Sequence, residues 1–328
     1  MASSNADRFI ADPNAAWNPP AIRWPDGKRF AFTVFDDPDF QTVDYGRPVY
    51  DLLAEMGFRT TRGIFPGLDN APAGDRAATC EDPEHLRWVL SLKDRGFEMG
   101  WHGASPGTSN REQTKQGLDR FRRFFGTWPV TASQHYECRE NIYWGDERLS
   151  SSTNRLIYNI LTRGRNHKAF HGGDPGHELF WSDLCRERIR YVRNFVFAEI
   201  NTLKACPFMP YRDNDRPDVN LWYSSTDGHN AATFLKTLSE ENQDRLEAEG
   251  GACIMYTHFA YQFLKDGQLN SEFRRLLRRL SQKNGWFVPV GTLLDYIAKE
   301  RGPVMLSPAQ RLRVERRWLL HKARFGTA

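Results

Sequence analysis

The chain has 328 residues, 40% of them hydrophobic and 26% charged, which is the composition of a water-soluble globular protein. Its formal net charge of +4 is too small to indicate nucleic acid as a partner, and no stretch approaches the roughly 18 consecutive apolar residues of a membrane span. The five cysteines include no CxxC pair, so neither a disulfide framework nor a thiolate zinc site is indicated. Residues 1–20 have neither a basic start nor an apolar core, so we expect no secretory signal and a cytoplasmic protein.

Strand-like and helix-like segments alternate after an irregular N-terminal arm at residues 1–28, which we expect Trp17 and Trp24 to anchor. The predicted strands are "RFAFTVF", "RTTRGIF", "FEMGW" and "PVTAS". The helical patterns between them are "DYGRPVYDLLAEMG", "DPEHLRWVLSLKDRG" and "NREQTKQGLDRFRRFFG". The second of these has Asp82 as its N-cap and Gly96 just past its end. The order βαβαβαβ predicts parallel strands joined by right-handed crossovers, in an open sheet or a closed barrel.

The second half of the chain is less regular at first, and we interpret residues 136–219 as an insertion into a domain that spans 29–302. Regular patterns return with "NLWYSS", "ACIMYTHF" and the amphipathic helix "SEFRRLLRRLSQKNG". Residues 303–328 predict a basic helical tail, which we expect to pack on the domain.

Ionisable residues follow most of the predicted strands, where ligands bind in parallel α/β folds because the loops converge there. They are Asp36 and Asp37 after the first strand, His102 after the third, His135 after the fourth, Asp227 and His229 after "NLWYSS", and His258 after "CIMYT". Each residue alone is more often a cap, a turn former or a hydrogen-bonded core residue, and we interpret Asp39 as a turn former. Their repetition at one end of the strands indicates a functional site.

The adjacent aspartates at positions 36 and 37 are chemically informative. Two neighbouring carboxylates repel, and each raises the pKa of the other unless a cation or a hydrogen-bond donor is close. We therefore predict that Asp37 binds a metal ion and that Asp36 removes a proton from water.

Three segments together resemble the polysaccharide deacetylase family, the NodB-homology domain of carbohydrate esterases. "FAFTVFDDPD" is similar to the T-F-D-D motif of that family, with Thr33, Phe35, Asp36 and Asp37 in place and Val34 inserted. "GFEMGWHGAS" resembles the family's G-x-E-[IL]-[GA]-x-H, and "CIMYTHF" resembles its last motif. The resemblance covers roughly residues 28–135 and 250–298.

This resemblance implies a distorted (β/α) barrel of about seven parallel strands and metal-dependent hydrolysis of an N-acetyl amide. Asp36 would be the general base, Asp37 and His102 would bind a divalent metal such as zinc, and His258 would be the general acid. The metal would polarise the amide carbonyl and lower the pKa of its bound water.

The chain departs from the family at its second motif, H-[ST]-x-x-H, because Pro106 stands where the second histidine belongs. A catalytic zinc usually has three protein ligands, so another residue must complete the set. The family's third motif, an R-x-P-type sequence, is also missing, and His135 lies in its region. We predict a metal site of Asp37, His102 and His135, with His171 and His177 as rivals for the third ligand.

The expected substrate is an N-acetyl sugar or another small soluble amide, cleaved at a non-peptide carbon–nitrogen bond. Aromatic rings stack on sugar faces, so we predict that Trp144 and Trp222 contact substrate together with Asp227. Three alternatives stay open: a metal-independent amide hydrolase of the allantoinase-like type, a carbohydrate-binding protein without catalysis, and a glycosidase that uses Asp36 with Asp227. The sequence also leaves a homo-oligomer open.

Overall fold

The computed structural model describes residues 19–67, 77–136 and 138–327. Most of the predicted N-terminal arm, including Trp17, lies outside these residues, whereas Trp24 lies inside them and is buried. Trp24 Nε1 donates a hydrogen bond to Gly250 O at 2.9 Å, and its ring stacks on Tyr296 with the centroids 6.1 Å apart. These contacts fix the described end of the arm to the body of the domain.

Parallel strands form the centre of the fold. In chain order, the strands of the described residues are β1 (Phe30–Asp36), β2 (Thr61–Ile64), β3 (Glu98–Trp101), β4 (Thr131–Ala132), β5 (Tyr191–Phe197), β6 (Tyr211–Arg212), β7 (Leu221–Asp227), β8 (Ala252–Thr257), β9 (Leu264–Lys265), β10 (Gln268–Leu269), β11 (Gly285–Trp286) and β12 (Val304–Met305). Every residue of β1, β5, β7 and β8 is buried, because their two faces are both covered, as is usual in parallel sheets.

Seven of these strands close a parallel barrel in the order β1–β2–β3–β4–β5–β7–β8, and β8 pairs with β1 again. The closing register runs from Ala31 opposite Ala252 to Asp36 opposite Thr257. β11 pairs with β1, β6 runs antiparallel to β7, β12 pairs with β6, and β9 and β10 form a hairpin. The predicted barrel of about seven parallel strands is confirmed.

Helices surround the barrel, and their ends follow local sequence signals. Those of the described residues are α1 (Val43–Glu55), α2 (Pro83–Asp94), α3 (Arg111–Phe125), α4 (Ser152–Leu161), α5 (Ser182–Arg188), α6 (Thr202–Ala205), α7 (Ala231–Thr237), α8 (Glu240–Ala248), α9 (Ser271–Ser281), α10 (Val290–Arg301) and α11 (Pro308–Phe325), with short 3-10 turns at Pro25–Gly27 and Gly145–Arg148. Asp82 caps α2 by accepting hydrogen bonds from the backbone N–H groups of Glu84 and His85. Gly126 ends α3 in the left-handed conformation, with φ of 79°.

The structure places barrel strand β5 inside the range 136–219, which we predicted as an insertion. Its sequence "YVRNFVF" carries an arginine and an asparagine in the middle of an apolar run, which hid the strand pattern. The additions to the barrel therefore lie on either side of β5, and α4 belongs to the first of them.

The basic C-terminal helix α11 packs against α4 and β5. Trp318 of α11 contacts Phe195 of β5 and Tyr158 of α4, with ring centroids 5.0 Å and 5.5 Å away. This packing brings the end of α11 to the carboxyl ends of the barrel strands. Within the ranges described, none of the helices is both long and apolar enough to cross a membrane.

Candidate active site

A cavity of about 600 Å³ opens at the carboxyl ends of the barrel strands. Its polar lining includes Asp37 and Asp39 after β1, His135 after β4, His229 after β7 and His258 after β8. Two other groups of lining residues come from outside the barrel: Trp144, Arg148, Tyr158 and Asn166 from the addition before β5, and Lys322 and Gly326 from the end of α11 and the residue after it. The barrel therefore supplies the carboxylates and imidazoles, and the additions supply the remaining wall.

Asp39, His102 and His135 form a cluster whose ligand atoms all lie within 4.8 Å of one another. The Nε2 atoms of His102 and His135 lie 3.4 Å and 3.0 Å from Asp39 Oδ1. Two ligands of a tetrahedral ion with bonds of 2.0–2.1 Å are about 3.4 Å apart, so this spacing suits a shared ion. His102 and His135 thus lie together, and the carboxylate oxygen that faces both Nε2 atoms belongs to Asp39. The predicted ligand Asp37 lies on the other side of His102, with Oδ1 3.6 Å from Nδ1.

The hydrogen bonds of Ser133 determine which nitrogen of His102 carries the proton. Ser133 Oγ donates to the Asp37 carboxylate at 2.9 Å, and it lies 2.7 Å from His102 Nδ1. Because the hydroxyl hydrogen is used on Asp37, His102 Nδ1–H must donate to Ser133 Oγ. His102 Nε2 therefore presents a lone pair to Asp39 Oδ1, and this is the tautomer that binds a metal through Nε2.

The thiol of Cys138 fixes the tautomer of His135 in the same way. Its Nδ1 lies 3.3 Å from Cys138 Sγ, and that thiol donates to Pro106 O at 3.7 Å. With the thiol hydrogen directed to the carbonyl, Sγ accepts from His135 Nδ1–H, and Nε2 presents its lone pair toward Asp39. Residue 106, where the resemblance predicts a histidine ligand, thus contributes its backbone carbonyl to the orientation of His135.

The cluster fits a divalent metal ion by its chemistry. Two imidazole lone pairs and a carboxylate oxygen that face one another repel unless a cation lies between them. Within the described ranges, Asp39 Oδ1 and His102 Nε2 are buried and have no hydrogen-bond partner. Burial acts to raise the pKa of Asp39, but the net shift is well below its usual value, and the hydrogen bond from protonated His258 to Oδ2 contributes to it, so the carboxylate is ionised. An Asp-His-His set is a usual set of zinc ligands, and the residues present therefore fit such an ion.

His258 lies on the other side of the Asp39 carboxylate. Its Nδ1 donates to His229 O at 2.8 Å, and its Nε2 lies 2.8 Å from Asp39 Oδ2. A carboxylate accepts but does not donate, so this contact requires a proton on Nε2 as well. Burial acts to lower the pKa of His258, but the hydrogen bond and charge of Asp39 outweigh it and raise the pKa. His258 is thus held as a proton donor that lines the cavity.

Asp37 lines the cavity as an ionised carboxylate paired with Arg193 of β5. The guanidinium donates to Asp37 Oδ1 at 3.0 Å and to Oδ2 at 2.5 Å, in the bidentate geometry that suits a carboxylate. Burial acts to raise the pKa of Asp37, but the charge of Arg193 outweighs it and lowers the pKa. Asp37 and Asp39 are the carboxylates that the described chain presents to this cavity.

Asp36, predicted as the general base, points away from the cavity and is fully buried. Its Oδ2 accepts hydrogen bonds from Tyr50 Oη at 2.8 Å, Arg62 Nη1 at 3.1 Å and Gln41 Nε2 at 3.2 Å, and its Oδ1 accepts from Phe259 N at 2.9 Å. Burial raises the pKa of Asp36 although Arg62 opposes the shift. In the structure Asp36 ties β1 to the residue after His258 and is not among the residues that line the cavity, which differs from the predicted role as a base in contact with substrate.

The other predicted residues divide into two groups. Trp144 lines the cavity, whereas Trp222 and Asp227 do not. The side chain of Asp227 accepts from the backbone N–H of His229, which fits a turn-forming role. His171 and His177 stack on each other at 4.2 Å, and neither belongs to a possible metal cluster in the described residues.

Sequence reasoning missed Asp39 and Arg193. The spacing of Asp37 and Asp39 could have identified Asp39, because side chains two positions apart in an extended segment point to the same side. The signal for Arg193 was a charged residue in the middle of an apolar strand, since a buried arginine needs a partner.

No family model and no curated protein sequence matches the chain. Solved structures that are similar to the chain share little sequence identity with it. A candidate polysaccharide deacetylase from Mycobacterium smegmatis has 12% identity and a TM-score of 0.48, covering 88% of this chain and 98% of its own. Puue allantoinase has 14% identity and a TM-score of 0.49, with 87% and 95% covered. The peptidoglycan deacetylase PdaC from Bacillus subtilis has 13% identity and a TM-score of 0.39, with 89% and 98% covered. Likenesses at this level establish neither the family nor the activity of the chain.

Proposed function

We propose that the protein is a metal-assisted hydrolase that cleaves the carbon–nitrogen bond of a small N-acylated substrate, such as an N-acetyl sugar. The observation that carries this proposal is the convergence of His102 Nε2, His135 Nε2 and Asp39 Oδ1 at the cavity, with a second carboxylate and a protonated histidine beside them. Amide hydrolysis requires an activated water, a polarised carbonyl and a proton for the leaving amine. The described residues offer one group for each requirement.

Asp39, His102 and His135 would hold the metal ion, which when bound polarises a carbonyl and lowers the pKa of water. Ser133 and Cys138 orient the two imidazoles by accepting their Nδ1–H groups. Residues that fix a ligand in this way reduce the entropy lost when the ion binds.

Asp37 is the proposed general base. It lies in the cavity wall, is held ionised by Arg193, and is two residues from the Asp39 ligand. A proton from water can therefore move to Asp37 while Arg193 keeps the carboxylate in one orientation.

His258 is the proposed general acid. The His229 carbonyl holds its Nδ1–H, and Asp39 holds a proton on Nε2, which lines the same cavity. Nε2 would give that proton to the leaving amine, since this nitrogen faces the site.

The size and lining of the cavity suit a small substrate. Its volume of about 600 Å³ lies within the usual range for small-molecule sites, and Trp144 and Tyr158 offer ring surface for a sugar or acyl group. A cytoplasmic location and a soluble substrate remain part of this proposal.

The decisive experiment is metal analysis of protein purified without a chelator or a histidine tag, combined with acetate release from N-acetylated sugars. We expect a divalent ion in near-stoichiometric amount, and loss of both ion and turnover in His102→Ala. His171→Ala is the matched control, because it removes the rival histidine and should keep both.

Other results would select other functions. Turnover that persists in metal-free protein would indicate a metal-independent amide hydrolase. Stabilisation by sugars without turnover, under all metal conditions, would indicate a carbohydrate-binding protein.

A further inference from the structure

We propose that Arg148 and Lys322, which we call the cationic wall, bind an oxyanion of the substrate, so that the preferred substrate is an acidic N-acylated molecule. This inference rests on the proposed function for the reaction and adds the chemical class of the substrate. Both residues line the same cavity as Asp37, Asp39 and His258. They come from the 3-10 turn Gly145–Arg148 and from α11, both outside the barrel.

Arg148 is a buried arginine to which none of the described residues supplies a counter-charge. Only 3% of its surface is exposed, and its Nε and Nη2 atoms are buried without a hydrogen-bond partner in the described chain. Burial lowers the pKa of Arg148 to about 10, which still leaves the guanidinium charged at neutral pH. An unpaired ion in this position destabilises the folded chain unless a ligand supplies the opposite charge.

The other buried arginines of the described residues show how this protein usually neutralises such a charge. Arg62 pairs with Asp36, Arg193 and Arg216 pair with Asp37 and Asp213, and Arg311 pairs with Asp213 and Asp215. Across the same ranges, Arg148 has no such carboxylate. Among the buried arginines of these ranges, Arg148 is therefore the exception, and it lies in the wall of the cavity.

Aromatic contacts do not replace the missing anion. The Arg148 guanidinium lies 3.2 Å from the ring centroid of Trp144 and 5.3 Å from that of Trp318. The attraction between a cation and a ring face is much smaller than the cost of burying an unpaired ion. The Trp144 ring instead packs on the guanidinium and holds it in one plane at the cavity wall.

Lys322 adds a second cation to the same wall. Its Nζ donates to Thr327 O at 2.8 Å and lies 5.9 Å from the ring centroid of Tyr158. Burial, together with the positive charge of Arg148, lowers the pKa of Lys322 to about 8. The two cavity carboxylates cannot neutralise this pair, because Asp37 is paired with Arg193 and Asp39 faces the histidines.

Carboxylate and phosphate groups share the chemistry that this wall recognises. An N-acylated sugar acid and an N-acylated sugar phosphate are therefore the two substrate sources that the test must separate. A neutral N-acetyl sugar would leave the Arg148 guanidinium unpaired and should bind less well.

The experiment measures binding of sugars that contain no amide, so it does not depend on turnover. Calorimetric titrations of the purified protein with glucose 1-phosphate, glucuronate and glucose compare the two acidic groups with a neutral ring. We expect at least one acid to bind about 10-fold or more tightly than glucose, and Arg148→Met to remove that preference, as for loss of a charge-assisted hydrogen bond.

Three variants make the result specific. Lys322→Met should reduce the preference in part, and it carries the test if Arg148→Met fails to fold. Arg278→Met, on the exposed face of α9, removes the same charge outside the cavity and should leave the preference intact.

Asp39→Asn removes a proposed metal ligand and should also retain the preference for acids. An anion preference that survives without metal or turnover therefore separates this inference from the proposed reaction. Equal binding of acids and glucose by the wild-type protein, or an unchanged preference in Arg148→Met, would overturn it.

Discussion

Replacing Ser133 by alanine tests the hydrogen-bond chain that orients His102. The Ser133 hydroxyl is fully buried and connects Asp37 Oδ1, at 2.9 Å, with His102 Nδ1, at 2.7 Å. In Ser133→Ala the Asp37 carboxylate keeps Arg193, but the Nδ1–H of His102 loses its acceptor. Leaving one buried polar group unsatisfied costs about 1–3 kcal/mol, and each 1.4 kcal/mol is a factor of ten in affinity. We therefore expect metal affinity to fall about 10- to 100-fold.

The assay is competition for zinc between the protein and a chromophoric chelator, with the free energy of unfolding measured in parallel. Ser225→Ala is the matched control, because Ser225 is also fully buried in a barrel strand and its hydroxyl has no hydrogen-bond partner in the described residues. If Ser133→Ala and Ser225→Ala both keep wild-type zinc affinity, the tautomer assigned to His102 is wrong, and the case for His102 as a ligand weakens with it.

Three further predictions follow from the site and its surroundings. Asp39→Asn should abolish metal binding, whereas Asp37→Asn should keep the metal and lower turnover by about 10² or more, as measured by metal content and acetate release; the reverse pattern would restore Asp37 as the ligand. Asp36→Asn should destabilise the fold by about 3–5 kcal/mol in urea unfolding, because it leaves Arg62 buried without its carboxylate, and a loss of turnover at full stability would contradict this. Burial lowers the pKa of His85 to about 3, so the unfolded chain binds more protons there and stability should decline as the pH falls from about 6.5 toward 3. His85→Phe should remove that part of the decline.

The barrel could be predicted from sequence because its strands and helices carry strong periodic signals. α2 has Asp82 and Gly96 at its boundaries, and the first three strands are separated by amphipathic helices of ordinary length. β5 escaped prediction because Arg193 and Asn194 interrupt its apolar run, and their burial depends on partners far away in the chain.

The position of the site could be predicted from the sequence, but the roles of its individual residues could not. The pattern predicted a site at the strand ends and named His102, His135 and His258, which the structure brings to one cavity or its edge. It took Asp36 and Asp37 as a functional pair of base and metal ligand, whereas the proposed base is Asp37, one position later, and the proposed ligand is Asp39, two positions later than Asp37. Adjacent residues in extended chain point to opposite sides, so Asp36 faces Tyr50 of α1 while Asp37 faces the barrel interior. No local signal identifies Arg148, whose significance lies in the partner it lacks.

The cavity wall and the cluster of carboxylates and histidines come from different segments of the chain, which affects how substrate specificity can evolve. Trp144 and Arg148 belong to the addition before β5, and Lys322 belongs to α11, whereas the carboxylates and histidines follow barrel strands. In the proposed function, the cations that recognise the substrate and the groups that perform the chemistry therefore belong to separate segments of the chain. Substrate preference can drift under selection through these two additions while the strand ends stay fixed, and a mutant library confined to them is the rational place to search for new specificities.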